Sequence, residues 1–336
     1  MDLLDRQILN ILQSEFPLVE RPFERIGETV GINEAEAIER IVSLKRRNVV
    51  RQIGAIFDTR RLGYKTSLVA MRFHEGDLDA AARRINEHPG VSHNYARTGQ
   101  FNLWFTVAVP PSETIEDTVD RMARDTGALA VRIMPTIRFF KIGVNFDMVR
   151  EEGAATEYFS PDGLSDKING STDHTLWNRA EVVTEQDRRA IRELQEDLPL
   201  IGRPFAEMAE RLDLTEAELF AKTAELMQRG LMRRYSAVLH HRRAGFSSNA
   251  MAVWRVPEER AVEVGNIMAG SKWVTHCYQR PTFPDWHYSH FTMIHATTDE
   301  QCEQVARDIS KETGISDYRL LYSTREYKKT RVRYFV

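Results

Sequence analysis

Hydrophobic and charged residues along the first fifty positions recur at helical spacing. "MDLLDRQILNILQSEF" is amphipathic and predicts a helix over about residues 2–14. A second helix is expected to start after Pro22, whose fixed φ suits a first helical turn. A third is expected over about 34–47, with Asn33 as its N-cap and Glu36 three residues on, a capping box in outline. The pattern then turns extended in "VRQIGAIFD" and "TSLVAMRF". A helix at about 77–87 follows, then strands at "VSHNYAR" and "FNLWFTVAV", a helix after Pro111 and one last strand, "VRIMPTIRFFKIG". Three short helices with a β-wing, then β-α-β-β-α-β, describe a winged helix-turn-helix followed by a ferredoxin-like domain.

The chain then says this a second time. "FPLVERPFERIGETVGINEAEAIERIVSLKRRNVVR" returns as "LPLIGRPFAEMAERLDLTEAELFAKTAELMQRGLMRR", with Pro17 matching Pro199 at an offset of 182 residues. Asp5 then meets Asp187, Arg21 meets Arg203, Arg51 meets Arg233 and Gly63 meets Gly245. After one inserted residue, "VSHNYART" lies against "VTHCYQRP" and pairs His93 with His276, Tyr95 with Tyr278 and Arg97 with Arg280. Aligning "FTMI" at Phe291 with "FTVA" at Phe105 gives an offset of 186, three extra residues in the second half, and sets His287 and His290 against Phe101 and Trp104. So long a period excludes a solenoid and indicates two homologous halves in one chain. The fold class is therefore α+β: two tandem halves, each a winged helix-turn-helix (1–60 and 182–242) plus a ferredoxin-like domain (61–150 and 243–336), related by a pseudo-twofold. Residues 151–181 are rich in Gly, Ser, Thr, Asp and Asn and read as a linker, whose Tyr158, Phe159, Leu176 and Trp177 point to partial docking.

Composition narrows the class. A net charge of -3 gives no global attraction to nucleic acid, so an anion site has to be a local basic patch. Two cysteines, Cys277 and Cys302, make no disulfide framework or thiolate zinc site and fit a reducing compartment. No stretch is long and apolar enough for a membrane span, and the N-terminal helix carries acids, so a cytoplasmic protein is expected.

Candidate chemistry concentrates in "THCYQRPTFPDWHYSHFTMIH", which holds four of the ten histidines: His276, His287, His290 and His295. Such a stretch suits a metal, a DNA contact or proton supply to a large flat ligand. Metal is disfavoured, because His287 and His290 lie on opposite faces of an extended segment and no HExxH or Cys/His spacing surrounds them. His295 reads as a core histidine. In a strand, His276, Tyr278 and Arg280 share one face, as do His93, Tyr95 and Arg97.

The element order resembles the AsnC/Lrp family of amino-acid-responsive regulators across nearly all of each half. The doubled "PL..RPF", the "H.Y.R" before a strand and the "THCYQRP…W.Y…FTMIHA" segment resemble the siroheme decarboxylases of alternative haem and d1-type haem biosynthesis. In some bacteria the two subunits of those enzymes are fused, as the two halves are here. The resemblance implies loss of two acetate carboxyl groups of siroheme as CO2, giving 12,18-didecarboxysiroheme. It implies no cofactor beyond the substrate's own iron. Expected partners are siroheme, a second copy of the chain and other proteins of d1-type haem biosynthesis. The chain departs from its relatives' common W-P-Y-N by reading Trp286, His287, Tyr288, Ser289.

Two other readings compete: a tetrapyrrole-responsive regulator and a non-catalytic tetrapyrrole carrier. DNA is not expected as a partner. The first turns of the recognition helices carry Glu34, Glu36 and Glu39 in one half and Asp213, Glu216 and Glu218 in the other, which repel phosphates. Decarboxylation requires a proton donor near the ring edge, which suits histidine, with tyrosine as relay and arginine as carboxylate clamp. The expected catalytic residues are therefore His276, Tyr278, His93 and Tyr95. Expected substrate contacts are Arg280, Arg97, Arg51, Arg233, Arg234, His287, Tyr288, Trp286 and His290. The pairs Arg60–Arg61 and Arg242–Arg243 add basic charge after each first β-segment.

Overall fold

A computed structural model of the chain describes residues 1–14, 16–146, 155–159, 180–239 and 248–336. The linker's Leu176 and Trp177, and the pair Arg242–Arg243, lie outside the described residues.

The first half opens with α1 (Leu3–Ser14), α2 (Pro22–Val30) and α3 (Glu34–Arg46), and the second with α6 (Glu185–Leu194), α7 (Ala206–Arg211) and α8 (Glu216–Gln228). The Asn33 side chain accepts from the Glu36 backbone N–H, and Thr215 with Glu218 completes the reciprocal box at the start of α8. The repeated aspartates have a shared task. Asp5 holds Arg40 of α3 at 3.1 Å, and Asp187 holds Lys222 of α8 at 2.6 Å and Arg229 just beyond it at 3.0 Å. Arg21 pairs with Glu34, and Arg203 with Glu216, tying each turn to the start of its third helix. Leu9, Phe23 and Leu44 from one half share a single apolar core with Leu194, Phe205 and Leu226 from the other. The two helical modules thus fold as one body.

The segments expected as wings do not fold back within their halves. β1 (Val50–Phe57) pairs antiparallel with β8 (Met232–Leu239) of the other half and makes a two-stranded ribbon.

Below the ribbon each half supplies its β-α-β-β-α-β unit. The first contains β2 (Lys65–Arg72), α4 (Leu78–Asn86), β3 (Val91–Arg97), β4 (Leu103–Val109), α5 (Ile115–Thr126) and β5 (Ala130–Met134). The second contains β9 (Ser248–Trp254), α9 (Ala261–Gly270), β10 (Val274–Gln279), β11 (His290–Ala296), α10 (Asp299–Thr313) and β12 (Tyr318–Lys329). Their helices cover the outer faces, over separate cores around Val107 and Val264. The helix-free faces meet, and Phe101 and Trp104 pack on Trp286 and Phe291 between them.

A strand at the end of each half crosses to the other. "VRIMPTIRFFKIG" is two strands rather than the one expected, divided at Pro135–Ile137, since proline lacks the N–H a continuous ladder needs. β5 stays on β2, and β6 (Arg138–Phe146) pairs with β10. β12 makes the reciprocal move without a break: Tyr318–Tyr322 pair with β9 and Ser323–Lys329 with β3. A ten-stranded sheet among the described residues results, with β7 (Ala155–Phe159), part of the expected linker, adding an edge beside β6.

Each crossing strand is fastened by a lysine that caps the far half's helix. Lys141 donates to the Ser271 carbonyl beyond α9 at 2.9 Å, and Lys328 to the Asn86 carbonyl of α4 at 2.7 Å. Phe140 lies on Gly265 of α9, where an added Cβ would stand 2.2 Å from its ring. Gly265→Ala is expected to unseat β6 and cost about 1–3 kcal/mol, measured by urea unfolding. An unchanged midpoint would mean that this contact does not seat the strand.

Pairing also corrects the repeat register. Trp104 lies opposite Tyr95, and Phe291 lies opposite Tyr278. The structural offset there is 187, not 186, so the second half carries four extra residues, and His287 and His290 correspond to Gln100 and Leu103. The shared "FT" dipeptide had fixed the wrong phase.

Candidate active site

β3 and β10 carry their alternate residues into the space between the two helix-free faces of the ten-stranded sheet. The His93 and Tyr95 rings lie 6.4 Å apart, and those of His276 and Tyr278 lie 6.1 Å apart. The Arg97 guanidinium stands 5.3 Å over Tyr95, and that of Arg280 stands 4.9 Å over Tyr278. Nδ1 of each histidine is 3.0 Å from a neighbouring hydroxyl, Ser92 or Thr275. Arg97 donates to the Leu321 carbonyl at 3.1 Å, and Arg280 to the Met134 carbonyl at 2.5 Å. Both guanidiniums are thus oriented by a backbone carbonyl of the other half, Arg97 by the crossing strand β12 and Arg280 by the end of β5.

The crossing strands also complete the walls, and here the halves diverge. Residues directly opposite on paired strands share a face. Glu326 lies opposite Tyr95 and Lys329 opposite His93, whereas Phe139 lies opposite Tyr278 and Ile142 opposite His276. The Tyr95 hydroxyl donates to Glu326 at 3.4 Å. From the ribbon, Arg51 donates to Glu326 at 3.0 Å and to the Lys329 carbonyl. Arg233 donates instead to Asp58 at 2.7 Å, and Arg60 and Arg233 are near enough for their charge to act on the Tyr278 phenol. Arg234 lies farther along the ribbon, opposite Ile56.

Three histidines share this interior. Burial, the Lys329 ammonium and the His276 ring hold His93 down at about 4. Burial and Lys329 hold His276 at about 4. His295, from β11, is held at about 3 by burial, His276 and Lys329. All three are therefore neutral at neutral pH. The side chain read as a core histidine faces the same interior as the two strand histidines. Burial pushes the Arg280 guanidinium down to about 10, which leaves it charged.

Two other expected site residues, His287 and His290, lie outside this interior. His287 is exposed. His290 is on the helix side, with Nε2 2.8 Å from the Ala261 carbonyl, Nδ1 3.0 Å from the Ser289 hydroxyl, and its ring stacked on Phe140. Trp286 and Tyr288 belong to the apolar floor of the interior itself, Trp286 lying 5.3 Å from Trp104. Sequence reasoning missed Glu326, Lys329, Phe139 and Ile142. The signal was present in the repeat, where "TREYKK" in the second half answers "IRFFKI" in the first.

The interior is lined by cations and aromatic rings and has neutral histidines at its centre, an environment for a flat polyanion that accepts protons. No helix among the described residues is long and apolar enough to cross a membrane.

Comparison with known proteins agrees with this architecture. Residues 61–141 and 243–328 match the AsnC-like ligand binding domain, and residues 5–51 and 187–233 match the siroheme decarboxylase NirDL-like HTH domain. The siroheme decarboxylase of Hydrogenobacter thermophilus is 42% identical over 330 residues, covering 98% of this chain and 94% of that protein. The siroheme decarboxylase beta subunit of Methanosarcina barkeri is 46% identical over 147 residues, which is 44% of this chain and 97% of that subunit. A crystal structure of the siroheme decarboxylase NirDL with an iron-uroporphyrin III analogue superposes with a TM-score of 0.72 at 37% identity, covering 99% of this chain and 95% of that one. A chain whose two halves each carry both domains, and which matches a relative over 98% of its own length and 94% of the relative's, belongs to the siroheme decarboxylase family, in the form that joins two subunit-like halves.

Proposed function

We propose that this chain removes the carboxyl groups of two acetate side chains of siroheme as CO2, without an oxidant, in the interior between the two helix-free faces of its ten-stranded sheet. The observation that carries the reading is the repeated histidine, tyrosine and arginine on the inner faces of β3 and β10, in a chain of this family. For each acetate, the bond between the methylene and the carboxylate carbon breaks. Its electron pair passes into the macrocycle, CO2 leaves, and one proton converts the methylene to a methyl. The chain's part is to orient the carboxylate, exclude water and deliver that proton.

Arg280 and Arg97 are suited to orientation, because each guanidinium is already fixed by a backbone carbonyl and a tyrosine face. The histidines act as donors only once protonated. Carboxylates of the bound substrate bring negative charge to rings that burial and Lys329 hold neutral, which raises their proton affinity. Binding is thus expected to take up protons and arm the donor. Isothermal titrations of siroheme in buffers of different ionisation enthalpy at pH 7 check this. Buffer-independent heats would contradict it.

Arg233 is expected to contribute affinity rather than chemistry. Arg233→Ala should weaken siroheme binding about tenfold with little change in turnover of the bound complex. An unchanged dissociation constant would clear it of a clamping role.

DNA recognition is not favoured, because Arg21 and Arg203, the cations beside the starts of α3 and α8, are already paired with Glu34 and Glu216. The test of the function is anaerobic incubation of the protein with siroheme and mass spectrometry of the extracted pigment. Loss of two CO2 is expected. Bound but unchanged siroheme would replace the enzyme with a carrier, or with a sensor if promoter DNA were also shifted.

A further inference from the structure

We infer that the two halves of the interior are chemically unequal, and that Glu326 reserves the acetate-decarboxylating position for the His276 half by repelling substrate carboxylates from the His93 half. This rests on the function proposed above and adds which half acts and what selects it.

The inference follows from one pair of equivalent positions. Glu326 and Phe139 occupy the same place on the two crossing strands, opposite Tyr95 and Tyr278 respectively. In the first half, therefore, a carboxylate stands at the tyrosine, accepts its hydroxyl at 3.4 Å and takes up Arg51 at 3.0 Å. The engaged guanidinium does not itself separate the halves, since Arg233 is likewise held by Asp58; the difference is the carboxylate at the tyrosine, beside which a substrate carboxylate meets like charge. In the second half the corresponding wall is apolar. Phe139 and Ile142 face Tyr278 and His276, and Arg280 lies over the tyrosine.

An acetate in the second half thus meets a guanidinium and hydrocarbon. That environment disfavours the charged carboxylate relative to neutral CO2 once the bond begins to break. The atoms balance as in the general reaction: one carbon–carbon bond breaks, its electron pair enters the macrocycle and one proton arrives. No oxidant or reductant takes part. With one productive half, the two acetates react in turn, and the singly decarboxylated tetrapyrrole has to reorient between events.

The test uses the full chain, anaerobic siroheme and mass spectrometry of the pigment over time. Phe139→Glu copies the first half's carboxylate into the second, and is expected to lower kcat/KM for the first CO2 about 100-fold. Phe139→Gln, equal in shape but uncharged, should recover at least about tenfold of that loss, which separates charge from packing. Glu326→Gln should admit carboxylates to the first half without chemistry. Such non-productive binding lowers kcat and KM together, about fivefold each, and leaves kcat/KM near the parent value.

A Phe139→Glu variant as active as Phe139→Gln would overturn the inference. So would a Glu326→Gln variant whose KM rises while kcat/KM falls, because Glu326 would then belong to the productive half. Should the unaltered protein return siroheme at its original mass, the proposed function itself fails. That result is distinct from any pattern among the variants.

Discussion

Replacing His276 with glutamine is expected to abolish CO2 release while leaving siroheme bound. A positioned general acid contributes roughly 100- to 10,000-fold in rate, and a loss of that size is predicted for the variant. Affinity should change little, because the carboxylate-directed groups around this ring are guanidiniums, with Arg280 set by the Met134 carbonyl and Arg233 by Asp58. Glutamine also keeps a hydrogen-bonding side chain next to Thr275, whose hydroxyl is 3.0 Å from the imidazole. The two quantities separate experimentally: absorbance titration reads binding, and the mass of the recovered pigment reads turnover. A variant with parental turnover would remove His276 from the mechanism. One that no longer binds siroheme would make it a binding residue.

The second large effect is on stability in acid. An unfolded histidine titrates near 6.5, whereas His93 and His276 are held at about 4 and His295 at about 3. The folded state therefore binds fewer protons than the unfolded one below pH 6.5. The stabilisation is complete above that pH and is lost as pH falls from 6.5 toward 4. A difference of one pH unit between folded and unfolded titration is worth ~1.4 kcal/mol. Discounted for the water that reaches the rings, the three histidines together contribute on the order of 5 kcal/mol. Tm of the substrate-free protein should fall steeply between pH 6.5 and 4.5, and His295→Asn should flatten the fall. A Tm that is level over this range would contradict neutral interior histidines. Bound siroheme should protect, because its carboxylates favour the protonated rings.

Local signals in the sequence were reliable where the local physics decides. Asn33 caps α3, Pro22 opens α2, and the repeated Asp5 and Asp187 each grip a cation of the third helix. The period-two pattern correctly put His93, Tyr95 and Arg97 on one face, and likewise His276, Tyr278 and Arg280. What sequence could not supply was partnership between distant strands. β5 and β6 read as one strand because both are apolar and extended, and a single-chain pattern does not say which edge an extended segment will join. Glu326 and Lys329 were overlooked for the same reason: they belong by sequence to the second half and by position to the first. For His290, side-chain type points to the site but strand parity points away from it. His290 follows the extra residues and lands on the helix face, where both its nitrogens have partners. Trp286 and Tyr288, aromatic and near the histidines in sequence, pack into the apolar floor of the interior.

A crystal structure of the His276→Gln variant, grown anaerobically with siroheme, would show where the reaction takes place. The macrocycle is expected between the two helix-free faces of the ten-stranded sheet, with an acetate within hydrogen-bond reach of residue 276 and Arg280 and with Phe139 against it. Siroheme seated outside that interior, or with its acetates turned toward the helical modules, would contradict the proposed mechanism.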